Sequence, residues 1–247
     1  MLVLLSSCKH AYYLPNVQNV PLFREKNEYR LLVAEEGSGE ITATEVQAAY
    51  SVSSHWAVTA DFLHATGGQD TSKNKAHGNY LEGAAGYYIP SEKYGIFELY
   101  GGFGAATQHH QYGKADSVTT YNKTYENTAD LFCTKYFLQA SYGVSYHVFD
   151  IAFSARICRL EFSRINNQIS PGRGEYDNLD QIAQNKTSYL LEPAITIRLG
   201  WKYVKGQLQV GFSDNLSHPQ LAFEHANISL GLYIAIAKRY WHSDAKI

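Results

Sequence analysis

Three observations predict an all-β chain closed into an antiparallel up-and-down barrel of about ten strands. From residue 28 onward the apolar residues recur with a period of two, and the links between these stretches alternate short and long. The face opposite the apolar one is crowded with small residues. The chain has 247 residues, Lys+Arg 21 against Asp+Glu 23, and a formal net charge of −2. That length suits one large β domain, and near-neutral charge gives no electrostatic case for a nucleic-acid partner. No window approaches the ~18 apolar residues of a spanning helix. Tyr 20 is a high count, favouring strands and membrane interfaces.

Taken in chain order, residues 1–8 come first. A short apolar run leads into Leu5-Ser6-Ser7-Cys8, which resembles a bacterial lipobox with small residues ahead of the cleavage point. Cys8 is the expected lipid attachment, and the partner it implies is outer-membrane lipid. Residues 9–27 contain Pro15 and Pro21 and have no period, so they read as a periplasmic linker. The barrel is expected over 28–241, with 242–247 as a C-terminal tail.

The strands follow. Tyr29, Leu31 and Val33 alternate with Arg30, Leu32 and Ala34 over 28–35, and Val46, Ala48 and Tyr50 with Glu45, Gln47 and Ala49 over 41–52. Trp56, Val58 and Phe62 alternate with Ala57, Thr59 and Asp61 over 55–65. Leu81, Ala85 and Tyr87 face away from Glu82, Ala84 and Gly86 over 79–90, as Phe97, Leu99 and Phe103 do from Glu98, Gly102 and Gly104 over 95–108. The same alternation sets Leu138 and Tyr142 against Lys135, Ser141 and Gly143 over 131–147, and Phe153 and Ile157 against Ser154, Arg156 and Cys158 over 150–163. It continues over 187–200, 203–213 and 224–238, ending with Ile228, Leu230, Leu232, Ile234 and Ile236 on one face. Many stretches exceed the ~5–6 residues of a soluble strand and match the ~9–11 needed to cross a bilayer at a tilt.

Links near 53–54, 91–92, 148–149 and 204–205 are short, whereas 66–78, 109–130, 164–186 and 214–223 are long and polar. Short turns at one end and long loops at the other are the pattern of a transmembrane barrel in the bacterial outer membrane, with both termini periplasmic. Pro171-Gly172-Arg173-Gly174 marks a flexible loop with no helix after it.

Period two alone does not say which face is inside. Side-chain size does: a narrow closed barrel needs small residues where its walls converge, and a watered face does not. The inner face then carries Arg30, Lys135, Arg156 and Arg198 against Glu45, Asp61, Glu82, Glu98 and Glu192, a lumen charge network. Confined charges must be paired or hydrated. A turn at Gly37-Ser38 would set Arg30 opposite Glu45. Trp56, Tyr87, Tyr94, Tyr146, Phe149, Trp201, Tyr203, Tyr240 and Trp241 gather beside the short turns as an interfacial girdle. A hairpin turning near Val148 puts Cys158 opposite Gln139 and about 20 Å from Cys133, too far for a disulfide.

With these residues in view, the chain resembles the small outer-membrane β-barrels of Gram-negative bacteria, OmpA/OmpX-like in the broad sense. Residues 19–26, Asn-Val-Pro-Leu-Phe-Arg-Glu-Lys, resemble the lead-in of outer-membrane lipoproteins. Ten strands enclose a narrow lumen, and the four basic and five acidic groups in it predict a charge-plugged interior and a surface scaffold whose long loops serve adhesion or contact with an extracellular ligand. No cofactor or metal set is expected. An enzymatic reading, omptin-like protease or lipid A-modifying hydrolase, would draw on His109, His110 and Asp116, or on Asp214 and His218, as general-base pairs. A narrow channel is the third reading. Among the three, the non-enzymatic scaffold fits the sequence best, since no G-x-S-x-G or HExxH appears.

Overall fold

The structure, a computed structural model, describes residues 11–39, 41–68, 74–91, 95–113, 118–120 and 123–242. All ten period-two stretches become long strands. They are β1 (Tyr29–Ser38), β2 (Ile41–Ser51), β3 (Trp56–Gly67), β4 (Lys75–Pro90), β5 (Gly95–Gln111), β8 (Thr128–Ser145), β9 (Phe149–Asn167), β10 (Thr187–Gly200), β11 (Val204–Phe212) and β13 (Ala226–Ile236). A small hairpin, β6 (Val118–Thr120) and β7 (Lys123–Tyr125), lies in one long loop. Helix α1 (Gly174–Gln184) lies in another, β12 (Asp214–Asn215) extends the edge of β10, and α2 (Lys238–His242) follows the last strand. Successive long strands pair antiparallel, and β13 returns to β1. The ring closes without a free edge, which removes the strand-edge problem altogether.

The oily rows face outward. Ile228, Ile195 and Leu138 are 57%, 41% and 54% exposed, whereas Glu98 and Arg198 are buried. Ala57, Ala152, Ser141 and Ser229 line the inside. The exposed rows form a belt around the barrel, reaching from Trp56, Tyr146 and Trp201 at the short turns up to Val33, Phe62, Leu81 and Phe103. Above it the outward positions turn polar, with Glu35, Asn79 and Arg159. An apolar surface of that extent is tolerated in lipid and not in water. No described helix is long and apolar enough to cross a membrane, and crossing falls to the strands. The chain is therefore a transmembrane β-barrel of the outer-membrane type.

The barrel wall is uneven. β1 and β2 have 10 and 11 residues, whereas β5, β8 and β9 have 17, 18 and 19. The extra residues lie toward the long loops, so the wall is high on one side and low along β1 to β3.

Several expectations are corrected. The first hairpin turns at Gly39, which adopts the left-handed region at φ 57°, two residues later than expected. Arg30 consequently faces Ala49, and Glu45 faces Ala34. Cys158 faces Phe137 instead of Gln139; both Cys133 and Cys158 are buried free thiols. Tyr240 is buried against Tyr203 and does not join the girdle. The Pro171–Gly174 stretch leads directly into α1. The last strand ends at Ile236, ahead of α2, short of the expected barrel limit at 241. Residues 11–27, read as a linker, run inside the barrel. Cys8, Tyr94 and Asp116 lie outside the described residues.

Candidate functional site

The lumen is occupied by the chain's own amino-terminal segment. It enters at the long-loop mouth, where the Tyr12 hydroxyl meets the Tyr112 hydroxyl at 2.9 Å and the backbone of Tyr12 and Tyr13 bonds to Ala222 and Glu224. Burial pushes both of these phenols above the usual tyrosine range, so each stays a neutral hydrogen-bonding group. The segment leaves at the other mouth, where the Phe23 ring packs on Tyr88 with centroids 5.6 Å apart. Glu28 there gathers the backbone N–H groups of Arg24 and Glu25 and ion-pairs with Arg30 and with Arg239 of α2.

An extended peptide inside a barrel has no strand neighbours, so its polar groups must be satisfied by side chains. The barrel supplies them residue by residue. The carbonyls of Pro15, Asn16, Val17, Gln18, Asn19, Val20 and Pro21 accept from Asn227, Arg156, Gln47, Gln209, Gln139, Arg198 and Tyr233 in turn. That is an unbroken run of carbonyls held from β2, β8, β9, β10, β11 and β13. Pro15 and Pro21 have no N–H to satisfy. The N–H groups of Val17, Gln18 and Phe23 donate to Glu45, Gln209 and Glu98.

All nine ionisable residues placed on the inner face touch this segment. Glu82, Lys135 and Arg156 meet at Asn16: its amide donates to Glu82 at 3.2 Å, and its oxygen accepts from Lys135 at 2.7 Å and from Arg156 at 2.8 Å. Glu192 accepts from the Tyr13 hydroxyl and holds Arg156 Nε at 2.8 Å. Glu45 holds Val17, Asp61 holds the Asn19 amide at 2.6 Å, and Glu98 holds Phe23. Arg198 and Arg30 donate to the carbonyls of Val20 and Pro21. The charges are thus both a mutual network and the socket of a peptide.

Sequence reasoning missed four further buried charges. Lys205, read as a turn residue, points inward and pairs with Asp150 at 2.6 Å. Glu28 and Glu36 are buried as well, the latter accepting from Asn227. For Asp150 and Lys205 the missed signal was parity: each lies an even number of residues from Arg156 and Gln207, which face inward on the same strands.

Above Asn16 and Lys135 a cavity of about 290 Å³ opens at the long-loop mouth. Tyr12, Tyr13, Leu14 and Tyr80 line it, with Gln108 and His110 on one wall and Glu175 and Glu224 among its charged lining residues. Small wall residues, Ala65, Ala76, Gly78 and Ala106, leave the volume. Aromatic faces with amide neighbours can hold a small uncharged ligand by stacking and hydrogen bonding.

The histidine candidates do not assemble into one constellation. His109 lies on the outer wall, bonded to Asp130 at 2.6 Å with its ring near His77, while His110 is buried on the inner side beside Tyr12. They are consecutive on one strand and point to opposite faces. Asp214 faces outward on β12, and the backbone N–H of His218 caps the Asn215 side chain. Among the described residues no three His, Cys, Asp or Glu side chains form a metal set.

No family model and no curated protein matches the chain. Among solved structures it is similar to the translocator domain of the autotransporter NalP from Neisseria meningitidis, with a TM-score of 0.48 and 9% identity over 86% of this chain and 88% of that one. It is also similar to KdgM porin, with a TM-score of 0.39 and 10% identity over 84% and 99% of the two chains. A third likeness is to the outer-membrane protease OmpT from Escherichia coli, with a TM-score of 0.42 and 7% identity over 90% and 99%. These likenesses concern the fold alone.

Proposed function

We propose that this barrel is a non-enzymatic scaffold of the bacterial outer membrane, sealed by its own amino-terminal segment, whose long-loop end contacts an extracellular ligand. The observation that carries this reading is the run of carbonyls from Pro15 to Pro21, each held by a side chain of the wall. A lumen built as a socket for peptide favours a closed barrel over a diffusion channel. The His109–Asp130 pair lies on the outer wall and does not line the cavity beside Tyr12 and Tyr80, which weighs against a general base serving that cavity. The cavity beside Tyr12 and Tyr80 supports contact with a ligand at the long-loop mouth, where rigid strands hold the loops.

The test has two arms. Purified protein in planar bilayers should give no steady conductance; a stable open pore would overturn the sealed-scaffold reading. Deleting residues 112–127 and, separately, 168–186, which connect β5 to β8 and β9 to β10, with folding checked by heat-modifiable gel migration, should abolish binding of the protein to intact host surfaces or soluble glycans. Unchanged binding would place the working surface elsewhere.

A further inference from the structure

The inner wall carries small residues at every height, but what they face changes with depth. Low in the barrel Ala49 and Ala57 cluster with Phe23, and Ala152 with Val20 and Leu22, so the lumen segment fills the room they leave. At the long-loop mouth Ala65, Ala76 and Gly78 also point inward, in step with Asp61 on β3 and Glu82 on β4. These three stay half-buried, and the space before them is the cavity of about 290 Å³.

The chemistry of the lining narrows the occupant. Three tyrosines border the cavity with their hydroxyls already engaged: Tyr12 with Tyr112, Tyr13 with Glu192 and Tyr80 with Glu82. What they offer a ligand is ring carbon. Tyr80 is the half-buried one of the three, and its hydroxyl end lies over Gly104, where a Cβ would stand 2.6 Å from Cζ. Glu175 and Glu224 line the same cavity. A carboxylate only accepts, so these two call for ligand hydroxyls and repel a ligand anion. A ligand cation meets the opposite obstacle at the floor, where the Lys135 ammonium lies 4.7 Å from the Tyr80 ring centroid and already faces that ring. Lys135 is itself held by Asn16 at 2.7 Å and Glu82 at 3.5 Å. Ring carbon beside acceptor oxygens suits an uncharged molecule with C–H faces and a hydroxyl edge. The volume stands at the lower end of the roughly 300–1,000 Å³ of small-molecule sites, which suits a single sugar and not a chain of them.

We propose that the cavity at the long-loop mouth binds one neutral sugar ring, with its C–H face on the tyrosine carbon and its hydroxyls toward Glu175 and Glu224. The extracellular ligand is then an uncharged saccharide, held by a terminal residue. Acidic sugars are turned away by the two carboxylates and amino sugars by Lys135. This inference rests on the proposed function, in which the long-loop end contacts a ligand.

Saturation-transfer NMR on the full chain in detergent tests it with sugars that keep the ring and change the charge. Glucose, galactose, mannose and N-acetylglucosamine are compared with glucuronate and glucosamine. At least one neutral sugar should receive saturation on its ring C–H protons. Glucuronate and glucosamine should each be weaker by about fivefold or more, the scale of one like-charge contact in water. Ala65→Leu and Ala76→Leu push a side chain into the cavity, and each should abolish the neutral signal. Thr44→Leu, on the outward face of β2, should leave it unchanged. Folding is checked by heat-modifiable gel migration, and Ala65→Val replaces a leucine variant that loses the folded band. A neutral-sugar signal that survives the filled cavity puts the site elsewhere and overturns the inference. So does a charged sugar that binds as well as glucose or N-acetylglucosamine. If no sugar binds while the loop deletions still abolish attachment to host surfaces, the inference falls and the scaffold reading stands. If the full chain binds neither sugars nor host surfaces, the ligand contact of the proposed function falls, and the inference with it.

Discussion

Arg156 donates one nitrogen, Nη2, to both the backbone carbonyl and the side-chain oxygen of Asn16, at 3.2 and 2.8 Å. The same guanidinium reaches Glu192 through Nε and Glu82 through Nη1, at 2.8 and 3.3 Å. One planar group thus joins the two carboxylates of the wall to the peptide in the lumen. Lysine, a single point charge, cannot make this set of contacts.

Arg156→Met should therefore do more damage than an ordinary core change. It leaves Glu82 and Glu192 buried with Lys135 as their nearest cation, and breaking a buried pair in this way costs about 3–5 kcal/mol. The temperature at which the folded gel band converts to the unfolded one should drop clearly. Arg156→Lys should fall between the two. A Met variant that converts at the wild-type temperature would show that the network is not holding the barrel together.

The seal itself can be assigned. Removing residues 1–23 takes out the segment and leaves the wall charges in a water-filled lumen. Deleted protein that still shows the folded gel band should conduct in planar bilayers. The double variant Glu192→Ala/Arg198→Ala removes two wall charges but keeps the segment, whose remaining carbonyls retain their donors. It should stay silent. If the double variant conducts as well as the deletion, the charges and not the peptide close the barrel.

These tests depend on features of unequal visibility in the sequence. The inside and outside were legible because confinement selects side-chain size: Ala57, Gly143 and Ala152 fit only where walls converge. The register of the first hairpin was less so, because Gly37 and Gly39 both offer a turn and only the positive φ of Gly39 decides between them. Such a choice moves every cross-strand partner, which is why Arg30 lost Glu45. The lumen segment had no period because a peptide enclosed on all sides has no outer face to alternate with. Its trace lay in the wall instead. Gln47, Gln139 and Gln209 are neutral amides on the inner face, and each donates to a backbone carbonyl of the segment.

Gly143 reports on the fit where that peptide meets the wall beside β9. A Cβ there would stand 2.8 Å from Leu22 of the segment and 2.8 Å from Ala152 Cβ. Leu22 holds a left-handed φ of 55°, so it has little freedom to retreat. Gly143→Ala should destabilise by about 1–3 kcal/mol, the usual range for overpacking. Gly101→Ala, on the outward face with nearest atoms at 4.0 Å, should be close to neutral. The comparison by denaturant unfolding in detergent is informative because both changes add the same methyl group to a strand. Equal effects would mean that strand propensity, not crowding against Leu22 and β9, dominates.

The outward orientation of the oily rows has its own test at Leu232, midway along the exposed row from Ile228 to Ile236 and 52% exposed. Were the protein surrounded by water, Leu232→Arg would be nearly harmless or would improve solubility. In a bilayer the same change places a cation in hydrocarbon at a cost of about 2–4 kcal/mol near the midplane, falling to about 0–1 kcal/mol near the interfaces. Leu232→Arg should thus sharply reduce folding into phosphatidylcholine vesicles. Trp201→Arg, beside a short turn and 77% exposed, should be tolerated much better, because its head reaches the lipid headgroups. A ratio near one between the two variants would mean that the row from Ile228 to Ile236 does not face lipid.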